Sequence, residues 1–144
     1  MLKRIPPILS PELLYLIARM GHGDELVIAD ANFPAVANAK RLVRADGHGV
    51  TVILEAILQL FPLDSFVTNP AAVMRRVDKP GQPAPIWNDF QRVLDSAEGK
   101  HIAVEQVERF AFYERARQTF GIVATGETAL YGNIIIKKGV IAPS

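Results

Sequence analysis

Short apolar runs that alternate with longer stretches of helical pattern constrain the fold of this chain more than any other feature. Three of these runs, at 25–29, 121–125 and 133–137, are mostly aliphatic. Apolar runs of this length, bounded by turn residues, are typical of buried strands. Two further strands are predicted at 65–67 and 71–77.

The stretches between the strands predict helices. Ser10 can cap a helix that starts with Pro11, and Gly21 ends it. Further helices are predicted over 50–61, 86–97 and 109–118. Because strands alternate with helices, we expect an α/β fold, a layered sheet flanked by helices.

The proline- and glycine-rich run DKPGQPAP, at 78–85, is predicted to be a loop. It is not a domain linker, because the pieces on either side are too short to fold separately. With 144 residues in total, the chain is predicted to form a single domain over 1–144.

Charge and cysteine content exclude several classes of protein. Sixteen Lys and Arg residues against 15 Asp and Glu give a net charge of +1, which provides no field to hold nucleic acid or an anionic membrane. The absence of cysteine excludes disulfides, thiolate catalysis and cysteine-based metal sites, and it indicates a cytoplasmic protein. Prolines and charges interrupt the apolar N-terminal stretch, so neither a targeting segment nor a spanning helix is predicted.

Apolar residues make up 49% of the sequence, more than the interior of a small monomer needs. Two interpretations are open: a generous core, or surface that is buried against other subunits.

His22 is the first candidate for chemistry. It lies between Gly21 and Gly23, where a ligand can approach, and an imidazole gives and takes protons near neutral pH. The alternative is an exposed residue just after the end of a helix.

The other candidates lie near element ends, where open α/β sheets bind ligands. Asp30 can accept hydrogen bonds from hydroxyls or cap a turn, while Asp64 resembles a turn residue. Arg109 and Tyr113 are four residues apart, so they share a helix face and can grip a polyol, or they are a solvated arginine beside a core tyrosine.

Tyr131 and Asn133 precede the last strand in a glycine-bracketed loop, which can be a ligand rim or only a turn. No phosphate-binding or serine-nucleophile motif is present. The three histidines lack zinc-site spacing, so a metal site would require side chains brought together from distant segments. The prediction is therefore no metal and no cofactor.

Several segments together resemble the fucose mutarotase family, which is related to the D-ribose pyranases. The similarity runs in order over nearly the whole chain, and its RADG and RFAFYERA segments resemble the fucose branch more than the ribose branch. Residues 36–40 and the run at 78–85 depart from the family pattern. The segments are GHGDE at 21–25, Asp30 with NFP at 32–34, RADG at 44–47, PLD at 62–64, RF with FYERA at 109–116, and TGE through YGN at 125–133.

The resemblance implies a cofactor-free enzyme that binds a free monosaccharide, with sugar sites near the contacts of a ring-like homo-oligomer, a decamer. At the matching positions His22 would donate and accept the proton and Tyr113 would assist at the reacting oxygens. The residues that would hold the sugar hydroxyls are Asp30, Asp64, Arg109, Tyr131 and Asn133.

The resemblance implies interconversion of the α and β anomers of free L-fucose by acid–base opening and closure of the ring. Three alternatives remain: pyranose–furanose interconversion of D-ribose, a noncatalytic sugar-binding oligomer, and a metal-dependent isomerase.

Overall fold

The computed structural model describes residues 1–144 as a six-stranded sheet with helices on both faces. The strand order is β2-β5-β1-β6-β3-β4. The elements in chain order are α1 Pro11–Ala18, β1 Glu25–Ala29, α2 Ala35–Asn38, β2 Leu42–Ala45, α3 Val50–Leu58, β3 Ala71–Met74, α4 Ile86–Glu98, β4 Val104–Val107, α5 Arg109–Gln118, β5 Gly121–Thr125 and β6 Ile134–Lys137.

Five strands run in one direction, and β6 alone runs in the other. β1 pairs in parallel with β5 and antiparallel with β6, and β6 in turn pairs antiparallel with β3. The carboxyl ends of the five parallel strands therefore share one edge with the start of β6, which we call the carboxyl edge. The opposite edge, where β1 begins and β6 ends, is called the amino edge.

The core has two parts, one on each face of the sheet. Successive side chains of a strand point to opposite faces. Leu26 and Ile28 therefore pack with α1, α3 and α4, whereas Val27 and Ala29 pack with α2 and α5. The layered α/β fold and the three mostly aliphatic strands are thus confirmed.

The predictions for the weaker strands were partly wrong. Residues 65–67 form no strand, because Asp64 Oδ1 accepts the backbone N–H of Phe66 at 3.0 Å and turns the chain. The strand predicted over 71–77 ends at Met74, and Arg76 then binds Asp78 within a bend. The helix predicted over 50–61 ends at Leu58.

Three elements were not predicted from the sequence: the edge strands β2 and β4 and the short helix α2. The edge strands are only partly buried and carry charged or polar residues such as Arg44, Glu105 and Gln106. They therefore lack the continuous apolar run that marked the central strands. None of the helices has the length and apolar character required to cross a bilayer.

Candidate functional site

Five of the seven candidate residues line one depression at the carboxyl edge. Its volume is about 260 Å³. The lining residues are Asp30, Asn32, Phe33, Met74, Asp78, Arg109, Tyr113, Leu130, Tyr131 and Asn133.

Asp30 and Asn133 form the buried floor of this depression. The register of β1 and β6 pairs Ile28 with Ile134, which brings the residues beyond them together. Asn133 Oδ1 accepts the Asp30 backbone N–H at 2.7 Å, and its Nδ2 donates to Asp30 Oδ2 at 3.1 Å. Both residues are less than a tenth exposed, so their positions are fixed.

Burial raises the pKa of the Asp30 carboxyl above its ordinary value of 3.8. Hydrogen bonds from the backbone at Asn32, Phe33 and Gly132, and from the Asn133 side chain, offset only part of this effect. The ionised form of Asp30 thus remains unfavourable until a ligand supplies further hydrogen-bond donors. A hydroxyl group of a ligand is such a donor.

Helix α5 supplies Arg109 and Tyr113 to the same depression. The helix begins at Arg109 because Glu108 caps it, its carboxylate accepting the Ala111 backbone N–H at 2.9 Å. Residues four apart then share one face, as predicted. The Tyr113 ring packs against Phe33 with 5.6 Å between the ring centroids, so the phenol is oriented while it still lines the depression.

Tyr131 is held in an unusual backbone conformation. Its φ is 58°, in the left-handed region that residues other than glycine rarely adopt. Its hydroxyl oxygen accepts the backbone N–H groups of Val77 and Asp78 at 3.0 and 3.3 Å. Asp78 in turn forms an ion pair with Arg76, which lowers its pKa to about 2.

His22 and Asp64 lie together at the amino edge. His22 Nε2 is 3.1 Å from Asp64 Oδ1, and the His22 ring packs against Phe66. Asp64 is held there by its backbone N–H, which donates to the Lys137 carbonyl at 3.0 Å. The His22 side chain is 44% exposed, whereas that of Asp64 is 4% exposed.

The electrostatics of this pair favour an ionised Asp64. Burial works to raise the pKa of its carboxyl, but the Phe66 N–H, His22 and Lys137 more than offset burial, so the pKa is lowered. An ionised carboxylate can only accept, so His22 Nε2 donates to it. The free His22 Nδ1 is then the ring atom that can take or give a proton.

The two groups of candidates do not meet within one chain. His22 precedes β1 and Asp30 follows it, and the five residues of that strand alone span about 17 Å. The carboxyl edge thus holds a polar depression, and the amino edge holds an oriented imidazole.

Asp78 was not predicted from the sequence, because the run at 78–85 was interpreted only as a loop. A signal was available: Arg76 and Asp78 have the same spacing as Arg44 and Asp46, and both pairs form bidentate ion pairs. No feature of the sequence predicted that Met74 and Leu130 would line the depression. No group of three or more His, Cys, Asp or Glu side chains is arranged to hold a metal ion.

Known proteins resemble the whole chain. The human protein named "Fucose mutarotase" is 54% identical, and the match covers 98% of this chain and 95% of that protein. The crystal structure of the fucose mutarotase from Streptococcus pneumoniae in complex with L-fucose is 42% identical, with a TM-score of 0.91, and covers 98% of this chain and 100% of that one.

A more distant structure shares the fold alone. The Bacillus subtilis RbsD structure complexed with D-ribose superposes with a TM-score of 0.70 at 18% identity, covering 99% of this chain and 100% of that one. The profile of the "RbsD / FucU transport protein family" matches residues 3–141. Because that match spans nearly the entire sequence, the chain belongs to the RbsD / FucU family.

Proposed function

We propose that this chain is an L-fucose mutarotase, an isomerase that interconverts the α and β anomers of free L-fucose. The proposal rests on the depression at the carboxyl edge, where Asp30, Arg109, Tyr131 and Asn133 converge on a space of about 260 Å³. Drug-sized ligands occupy pockets of about 300 Å³ or more, so this space suits a single monosaccharide. The full-length relatives named fucose mutarotase support the choice of sugar.

The reaction requires only proton transfers. The anomeric hydroxyl loses its proton while the ring oxygen gains one, which breaks the C1–O5 bond and opens the ring to the aldehyde. Rotation about the C1–C2 bond then lets the chain close on the other face. We assign the proton transfers to His22 and assistance at the reacting oxygens to Tyr113; such acid–base catalysis contributes about 10² to 10⁴ in rate.

The site has to hold the sugar firmly and still let its C1 end rotate. Asp30, Arg109 and Asn133 would hold the hydroxyls far from C1, while the reacting end keeps room to rotate. Because Asp30 and Asn133 are buried and fixed to each other, they provide a rigid anchor for that end of the sugar.

We propose that His22 reaches the sugar from a second copy of the chain, with Asp64 beside it. A contact between the amino edge of one copy and the carboxyl edge of the next is head-to-tail, and such contacts generate rings when the rotation closes. Large apolar side chains are exposed at both edges, with Phe66 at the amino edge and Phe110 and Leu130 at the carboxyl edge. A ring-like homo-oligomer, a decamer, and a cytoplasmic location belong to this proposal.

Saturation-transfer NMR on equilibrated L-fucose tests the function. We expect the protein to accelerate exchange between the anomers and His22→Ala to remove most of the acceleration. D-Ribose, followed by the same experiment, should exchange less rapidly. Unchanged exchange of L-fucose at high protein concentration would refute the proposal, and binding of L-fucose without faster exchange would indicate a noncatalytic sugar-binding protein.

A further inference from the structure

The side chain and the backbone of Tyr131 both form hydrogen bonds with the segment 75–87. Its hydroxyl oxygen accepts two backbone N–H groups, from Val77 and Asp78, and its carbonyl accepts the Trp87 indole N–H at 3.1 Å. A tyrosine with positive φ is strained, so it persists only where its surroundings fix it. The segment 75–87 therefore stabilises Tyr131 in this conformation.

Arg76 and Asp78 hold the bend that presents those two N–H groups. Arg76 Nε and Nη2 donate to the two carboxylate oxygens of Asp78 at 3.0 and 2.9 Å, and Arg76 Nη1 donates to the Pro83 carbonyl at 3.0 Å. The guanidinium also lies 5.7 Å from the centroid of the Tyr131 ring. Its side chain is only 10% exposed, which makes this pair unlike an ordinary surface ion pair.

These bonds restrict what the Tyr131 hydroxyl can do. A phenol oxygen can donate one hydrogen bond and accept others. With two N–H groups already bonded to the oxygen, its remaining capacity is the hydroxyl proton, which faces the Asp78 carboxylate that Tyr131 also hydrogen-bonds. Because Arg76 already donates to both oxygens of that carboxylate, we expect the Tyr131 hydroxyl to donate its proton to a ligand in the depression instead.

We propose that Arg76 is a positioning residue for the mutarotase reaction. Through its ion pair with Asp78 it holds the N–H groups of Val77 and Asp78 against the Tyr131 oxygen, and so commits Tyr131 to donate its proton to an oxygen of the bound sugar. This inference rests on the proposed function for the identity of the ligand. It assigns a role to Asp78, the first residue of the loop at 78–85.

A double-mutant cycle tests the inference. Arg76→Gln and Tyr131→Phe should each slow the enzyme-catalysed anomer exchange of L-fucose about tenfold, the effect of losing one hydrogen bond. If Arg76 acts through the Tyr131 hydroxyl, the double variant should be no slower than Tyr131→Phe alone. Losses that multiply in the double variant, or an Arg76→Gln enzyme with wild-type exchange, would overturn it.

Arg44→Gln is the matched control. Arg44 forms the same bidentate pair with Asp46 at the same spacing and the same edge of the sheet, but it lines no part of the depression. Its variant should exchange L-fucose at the wild-type rate. If Arg76→Gln does not fold, Arg76→Lys carries the same expectations, because an ammonium cannot make the paired bonds.

Amide hydrogen exchange without sugar separates this inference from the function itself. Arg76→Gln should increase exchange at the amides of Val77 and Asp78, while Arg44→Gln should leave them protected. If the wild-type protein does not accelerate anomer exchange, the proposed function fails. Hydrogen exchange at the Val77 and Asp78 amides then still tests whether Arg76 holds the bend. Unchanged protection in Arg76→Gln would overturn the inference in either case.

Discussion

Two buried aspartates with opposite pKa shifts define the chemistry at the residue scale. At Asp30, burial outweighs four hydrogen bonds, so the pKa is raised. At Asp64, the Phe66 N–H, His22 and Lys137 outweigh burial, so the pKa is lowered. The first is suited to receive hydroxyl donors from a ligand. The second keeps a negative charge that orients the imidazole of His22.

The opposite shifts predict opposite pH dependences of stability. The Asp30 carboxyl contributes most to the stability of the folded protein below pH about 4. This contribution is lost as the pH rises through its raised pKa in the folded protein. Asp64 contributes above pH about 4, and its contribution is lost as pH falls through its lowered pKa. Urea unfolding at fixed protein concentration measures the free energy of unfolding. The difference between the wild type and Asp30→Asn should shrink as the pH rises, whereas the difference between the wild type and Asp64→Asn should grow.

Parallel pH profiles for the two variants would contradict this assignment. The exposed residue Asp46 provides the control, because Asp46→Asn removes a carboxyl that is fully paired at the surface. Its effect on stability should be small at neutral pH, as is usual for surface ion pairs.

At the scale of elements, the loop between β5 and β6 stabilises the start of α3. Gly49 precedes this helix and has no side chain to cap it. Glu127 replaces the missing cap: its Oε1 accepts the Val50 N–H at 3.1 Å, and its Oε2 accepts the Ala129 N–H at 3.1 Å. One carboxylate therefore joins a helix end to the loop that carries Tyr131 and Asn133.

Glu127→Ala should lower the free energy of unfolding by about 1 kcal/mol, the usual cost of a lost N-cap. Glu55→Ala is the control, since Glu55 is exposed on the same helix and accepts no cap bond. Denaturant unfolding of both variants measures the difference. Equal stabilities of Glu127→Ala and Glu55→Ala would show that the loop does not support the helix.

The sequence predicted the elements that are buried on both faces and missed those that are not. The aliphatic runs of β1, β5 and β6 have a single reasonable interpretation, but the edge strand containing Glu105 and Gln106 has no such pattern. Five of the candidate residues line one depression, because helix spacing and strand ends bring them to the same edge of the sheet. The support of Tyr131 by Arg76 was not predictable, because it depends on how a proline-rich bend folds.

At the scale of the whole molecule, the two groups of candidate residues lie at opposite edges of the sheet. Their positions on either side of β1 already separate His22 from Asp30 in the sequence. The partner of His22 is set by tertiary structure, since the bridge between Leu63 and Lys138 brings Asp64 to the amino edge. The apolar side chains exposed at both edges favour the interpretation that the apolar surplus serves subunit contacts as well as the core.

Complementation between two inactive variants tests the two-chain site most directly. His22→Ala retains an intact depression, and Asp30→Asn retains an intact imidazole, so each alone should fail to accelerate L-fucose anomer exchange. When the two are unfolded together and refolded at equal amounts, about one quarter of head-to-tail contacts should pair two intact halves and recover activity. A mixed oligomer as inactive as its parents would contradict the account.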